Sequence, residues 1–134
     1  MTADTLILDS TFLVDLEREQ RRRQPGGATR FLETHGGKSL AITFTIEGEL
    51  AAGETLGRDR TAWLRFLSPF HRIDFSEEVA WRFGSVYRTL KSRGQLIGAN
   101  DMWIAATALA HELPVVTRNS DEFNRVNHLV VHSY

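Results

Sequence analysis

An α/β fold with a mostly parallel sheet is what this chain predicts, and two observations predict it. Short apolar runs alternate with helix-patterned stretches along its whole length, and the runs are near-continuously apolar, as strands covered on both faces must be. Acidic or hydroxyl residues stand where several of those runs end, which in such sheets is the edge where ligands bind.

The elements follow in order. Thr5 to Asp9 reads as the first strand, and Phe12, Leu13 and Leu16 begin a helix that runs through Arg21, Arg22 and Arg23 until Pro25, Gly26 and Gly27 stop it. A short helix carrying Phe31 and Leu32 comes next, then a strand from Leu40 to Phe44 and a helix from Thr45 to Leu56. Trp63, Leu64, Phe66 and Leu67 mark a further helix closed by Pro69, and Phe70 to Phe75 reads as a strand. Ser76 can cap the following helix, whose early Glu77 and Glu78 suit the positive end of its dipole. Asp101 to His111 is an amphipathic helix with Ile104, Ala105, Ala108 and Leu109 on its apolar stripe. Strands at Pro114 to Thr117 and Leu129 to His132 complete the pattern.

Composition narrows the class. The 134 residues, 42% hydrophobic and 25% charged, suit one globular domain spanning 1–134. The absence of Cys excludes thiol catalysis, disulfides and a thiolate zinc site, and the expected setting is cytoplasmic. No apolar run approaches the roughly 18 residues of a membrane helix, so no membrane partner is expected. A net charge of -1 gives no global attraction to nucleic acid; affinity for phosphates must come from a local patch or a bound cation.

Three acids, Asp9, Glu49 and Asp101, each sit where a regular element meets apolar sequence. Carboxylates held there away from water raise one another's pKa and destabilise the fold unless a cation neutralises them. Glu49 shares a helix face with Ile46, Ala52 and Gly53, while Glu47 points elsewhere. An all-oxygen set suits Mg²⁺, with Mn²⁺ as the substitute, and a water activated there needs no protein nucleophile. Ser10, Thr43 and Thr117 are hydroxyls able to orient that water or a phosphate; Asn119 and Asp121 follow the late strand at the same edge. Taken singly, each has an ordinary explanation as a turn former, cap or solvated charge. Asp15 and Glu17 read as solvated helix charges, and Arg18, Arg21, Arg22, Arg23 and Arg30 as either a phosphate track or a solvated helix end.

The strings ILDSTFLVDL, TIEGELAAG and GANDMWIAATALAHELPVVTRNSDEF resemble the three signature blocks of the PIN-domain ribonucleases, specifically the VapC-type toxins of toxin–antitoxin pairs. The resemblance implies a three-layer α/β/α sandwich around a mostly parallel sheet. It implies a metal-dependent endoribonuclease with Asp9, Glu49 and Asp101 as metal ligands and catalytic acids. A fourth acid follows the late strand in that family; here Asn119 stands at the motif's centre and Asp121 two residues on. The implied substrate is a structured RNA, tRNA or rRNA, and the implied partners are a cognate VapB-type antitoxin and a second copy of the chain in a homodimer. Phe12, Leu13, Leu16, Phe31 and Leu32 offer an apolar landing surface for that antitoxin if they stay exposed. Two other classes compete. A non-catalytic module could keep the same fold, and a receiver-type phosphoacceptor domain also places an Asp at a strand end, but needs a Lys where Arg118 and Asn119 stand.

Overall fold

The structure, a computed structural model, describes residues 4–134. Five strands, β1 (Thr5–Leu8), β2 (Ser39–Thr43), β3 (His71–Ile73), β4 (Val115–Val116) and β5 (Val131–His132), form one sheet in the order β3-β2-β1-β4-β5. All four pairings are parallel. Ile7 pairs with Ala41 on one side and Val115 on the other, so β1 is central, and Ile7 and Leu8 are fully buried.

Between the strands run α1 (Ser10–Arg22), α2 (Gly27–Thr34), α3 (Phe44–Ala52), α4 (Arg60–Leu67), α5 (Glu77–Ser92), α6 (Ala99–His111) and α7 (Ser120–Phe123), with a 3₁₀ turn at Leu56–Arg58. The chain leaves β1 toward β2 and β3, then returns to add β4 on the other side. Parallel crossovers are right-handed, so reversing direction moves the covering helices to the opposite face and gives the three layers. The reversal also leaves a crevice at the carboxyl ends of β1 and β4, the switch point of the sheet. Among the described residues no helix is long and apolar enough to cross a membrane.

Several predicted boundaries move for local reasons. The strand expected over Leu40 to Phe44 ends at Thr43, because that residue's hydroxyl accepts from the Ile46 amide at 3.4 Å and starts α3 with Phe44 inside it. α6 starts at Ala99 with Gly98 as its N-cap, so Asp101 lies in the first turn rather than opening the helix. The strands expected at Phe70 to Phe75, Pro114 to Thr117 and Leu129 to His132 are shorter than their apolar runs, pairing only over His71–Ile73, Val115–Val116 and Val131–His132. The short helix α7 was not predicted; four residues give no periodicity to read.

Phe12, Leu13, Leu16 and Phe31 are core residues, each at most 9% exposed, and Leu32 packs against the core. The expected apolar landing surface on α1 and α2 is therefore absent: these side chains are spent joining the two helices to the sheet. That joint has a polar clamp. Glu19 accepts hydrogen bonds from the amides of Gly26, Ala28 and Thr29 and from the Thr29 hydroxyl, at 2.7 to 3.1 Å, satisfying the open N-terminus of α2 that Gly26 leaves without a side-chain cap. Partial burial pushes the Glu19 pKa up, but the four hydrogen bonds prevail and hold it below its ordinary 4.5. Glu19→Ala should lower stability at neutral pH by about 2 kcal/mol, a capping loss plus stranded amides, read by denaturant unfolding. The loss should shrink as pH falls through the lowered pKa, where the wild-type carboxylate is itself protonated.

Candidate active site

The crevice at the switch point collects acids from four elements. Asp9 follows β1 and is 2% exposed. It is the N-cap of α1, taking the Ser10 amide on Oδ1 at 2.7 Å, so the ordinary capping role predicted for a strand-end Asp is real. Capping does not account for the rest of its surroundings. Thr117, at the end of β4, donates its hydroxyl to Oδ2 at 2.8 Å, and Thr11 donates to the same oxygen at 3.1 Å. A hydroxyl from a strand more than a hundred residues away fixes the carboxylate from the far side of the crevice.

Glu49, in α3, reaches the same place. Its Oε2 accepts from the Ser10 hydroxyl at 3.4 Å, and its Oε1 is buried with no hydrogen-bond partner. Of the residues expected to share its face, Ile46 is buried but Ala52 and Gly53 are exposed; Gly53 ends the helix instead of packing it. Glu47 is committed elsewhere, its carboxylate ion-paired with Arg72 and its carbonyl accepting from Trp63 Nε1 at 3.2 Å. Burial, then the charge of Asp9, pushes the Glu49 carboxyl up from its ordinary value, only partly opposed by Ser10.

Asp101 faces both. Its pKa rises from 3.8 to about 7, first through burial and then through the charges of Asp9, Glu122 and Glu49 and a hydrogen bond with Glu122. Glu122, in α7, thus lies against Asp101 as a fourth acid, one the sequence did not single out. Asp121 beside it is exposed, and Asn119, whose backbone N–H donates to Thr117 Oγ1 at 2.9 Å, holds the turn that starts α7. No periodicity announces a four-residue helix, so nothing in the sequence set Glu122 apart from Asp121. Thr43, the last residue of β2, is bonded to Thr45 at 2.9 Å and shares no hydrogen bond with the acids.

Four carboxylates on one rim, one with a buried unpartnered oxygen, fit a hard cation. Among the described residues no group of three or more His, Asp or Glu side chains stands close enough together to hold a metal ion by itself. Mg²⁺ needs only one or two protein carboxylates, with waters and substrate phosphates in its other positions. A cavity of about 630 Å³ lies at the other end of the sheet, lined by Val86, Leu90, Leu113, Pro114 and Val126 among others. None of the four acids borders it.

A basic group flanks the acids. Arg118, where a receiver domain would need its Lys, turns away from Asp9 and donates from Nη1 to both oxygens of Asp15 at 3.2 and 3.0 Å. Asp15 also accepts from Tyr134 Oη at 2.6 Å and pairs with Arg18 at 3.5 Å. It is a three-partner hub, not the solvated helix charge its position in the sequence suggests.

A parallel α/β sheet with carboxylates gathered at its switch point defines a class of folds whose site lies beyond the carboxyl ends of the strands. Within that class the protein belongs to the PIN-domain family, whose model matches residues 6–129. It is 36% identical over 100 residues to Ribonuclease VapC2 of Rickettsia felis, covering 72% of this chain and 75% of that one. It is 28% identical over 121 residues to Ribonuclease VapC1 of Methanocaldococcus jannaschii, covering 90% and 80%. The VapBC2 structure from Rickettsia felis, bound to a DNA fragment from its promoter, superposes with a TM-score of 0.81 over 97% of this chain and 98% of that one, at 25% identity.

Proposed function

We propose that this chain is a metal-dependent endoribonuclease, the toxin of a VapBC-type pair, cutting structured RNA of the tRNA or rRNA class. The observation that carries the reading is the rim itself: Asp9, Glu49 and Asp101 converge from three elements, and Glu49 keeps a buried oxygen with no partner inside the protein. Asp9, Glu49, Asp101 and Glu122 would hold Mg²⁺ or Mn²⁺, which when bound supplies an activated water and neutralises charge on the scissile phosphate. The protein's own part is orientation. Thr117, Thr11 and Ser10 fix the rotamer of Asp9 through its two oxygens, so the carboxylate meets the ion in one geometry. Ser10 bridges Asp9 and Glu49 and sets their separation.

The names of the relatives support an RNA substrate and an antitoxin partner. With the α1 and α2 side chains buried, the apolar contact beside the acids is Phe75, 56% exposed and packed edge-on against Phe44 and against Trp103, two residues after Asp101. A basic side chain from an antitoxin seated there would pair with the acids in place of metal. A homodimer is part of the same proposal.

The test is cleavage of total cellular RNA by purified protein with Mg²⁺ or Mn²⁺, stopped by chelation, and growth arrest on expression relieved by the adjacent small gene. Glu49→Gln should remove cleavage, whereas Glu47→Gln, which breaks only the Arg72 pair, should keep most of it. The opposite ranking would move the ligand to Glu47, and metal-independent cleavage would overturn the mechanism.

A further inference from the structure

We propose that Arg118, Arg18 and Arg22 form a phosphate track that carries the RNA strand out of the acidic rim along α1. This rests on the ribonuclease reading and adds to it the path of the substrate. The track begins at the site. Thr11, which donates to Asp9, also accepts the backbone amide of Arg118 at 3.3 Å, so the residue carrying the first cation is tied to the same hydroxyl that orients the metal-side carboxylate. From Thr11 the positions Asp15, Arg18 and Arg22 follow at intervals of four, three and four, one stripe of the helix surface.

Burial gives the stripe its sign. The Asp15 side chain is 12% exposed, while those of Arg118 and Arg18 are 61% and 46% exposed. The carboxylate sits beneath as a pivot, and two guanidiniums project over it into solvent. Arg118 engages Asp15 through one terminal nitrogen, leaving its other donors open to an incoming anion. Arg22 is exposed further along, whereas Arg21 is already paired with Glu17 at 3.1 Å. From Thr11 to Arg22 the helix rises about 16 Å, enough for a few nucleotides of strand. Tyr134 locks the pivot: its hydroxyl donates to Asp15 and its ring packs edge-on against Phe12 at 4.8 Å. Side chains held in place before binding lose less freedom on meeting phosphate, which favours a built track over a loose cluster of arginines.

Acids hold the ion at the rim, where repulsion of the RNA backbone is strongest, so a cationic path beside them offsets the cost of bringing phosphates in. The strand recognised would be single-stranded at the cut, because the contacts run along one backbone and read no bases.

The experiment measures binding of a fluorescein-labelled single-stranded RNA to the full chain by anisotropy across a salt series, in an Asp101→Asn background that does not consume the probe. Arg118→Gln, Arg18→Gln and Arg22→Gln should each weaken binding several-fold and flatten the plot of log affinity against log salt by about 0.7, the increment for one single-strand phosphate contact. Arg88→Gln, which removes an exposed cation on α5, should change neither by a comparable amount. Arg118→Lys should restore the salt slope, because it restores the charge. Unchanged slopes in all three variants, or an equal effect from Arg88→Gln, would overturn the track. So would loss of partner binding with RNA binding intact, which would make the stripe a protein contact. Cleavage by the protein with Asp101 intact, assayed separately, tells failure of the track from failure of the ribonuclease reading.

Discussion

Asp101→Asn should abolish RNA cleavage while leaving the fold intact. The substitution keeps side-chain shape, removes one negative charge from a rim that carries four carboxylates, and leaves Asp9 with its Thr117, Thr11 and Ser10 hydrogen bonds. Relief of repulsion should make the metal-free variant at least as stable as wild type, so lost activity cannot be put down to unfolding. Changing a residue that merely orients a metal ligand typically costs 10–100-fold, and removing a ligand should exceed roughly a hundredfold. Single-turnover cleavage at saturating Mn²⁺ reads the effect. Wild-type rates in a variant that binds metal normally would remove Asp101 from the site. Asp121→Asn is the matched comparison: its carboxylate is exposed, so it should keep near-wild-type cleavage, while Glu122→Gln, which touches Asp101, should not.

How much of this was legible in the residues depends on what kind of information each feature needs. The parallel sheet was, because strands buried on both faces must be continuously apolar, and Leu6 to Leu8 and Val115 to Val116 could be nothing else in an alternating pattern. The convergence of Asp9, Glu49 and Asp101 was legible through the signature blocks, which tie each acid to its element. Glu122 was not, because its role depends on a four-residue helix that no periodicity announces. Nor was Asp15. A carboxylate at an ordinary helical position becomes a hub only when Arg118 and Tyr134, 103 and 119 residues away, are brought against it. The landing surface drawn on α1 and α2 failed for the related reason that periodicity marks an apolar face without saying what covers it: Phe12 meets Phe31 at 5.7 Å and Tyr134 at 4.8 Å inside the core.

The metal-free protein should lose stability as pH rises toward neutrality, and divalent metal should reverse that loss. The sign follows from Asp101. Its folded pKa of about 7 exceeds its ordinary 3.8, so in this window the folded state binds more protons than the unfolded chain, and stability falls as pH rises from about 4 to about 7. Glu49 is shifted in the same direction and deepens the slope. Above the window Asp101 is ionised in either state, and the folded rim carries its added repulsion. A cation that binds only the folded rim then stabilises by mass action, and most strongly where the acids are deprotonated, since protons and metal compete for the same oxygens. Thermal unfolding in chelator should therefore show a midpoint that declines across this range, and Mg²⁺ or Mn²⁺ should lift the neutral-pH midpoint by several degrees while scarcely moving the acid one. Asp101→Asn should flatten the chelator profile and shrink the metal-induced rise together, because one carboxylate is responsible for much of both. If the variant kept the full metal response with a flattened pH profile, the strained acid and the metal ligand would be different residues, and Glu49 with Asp9 would have to hold the ion without it.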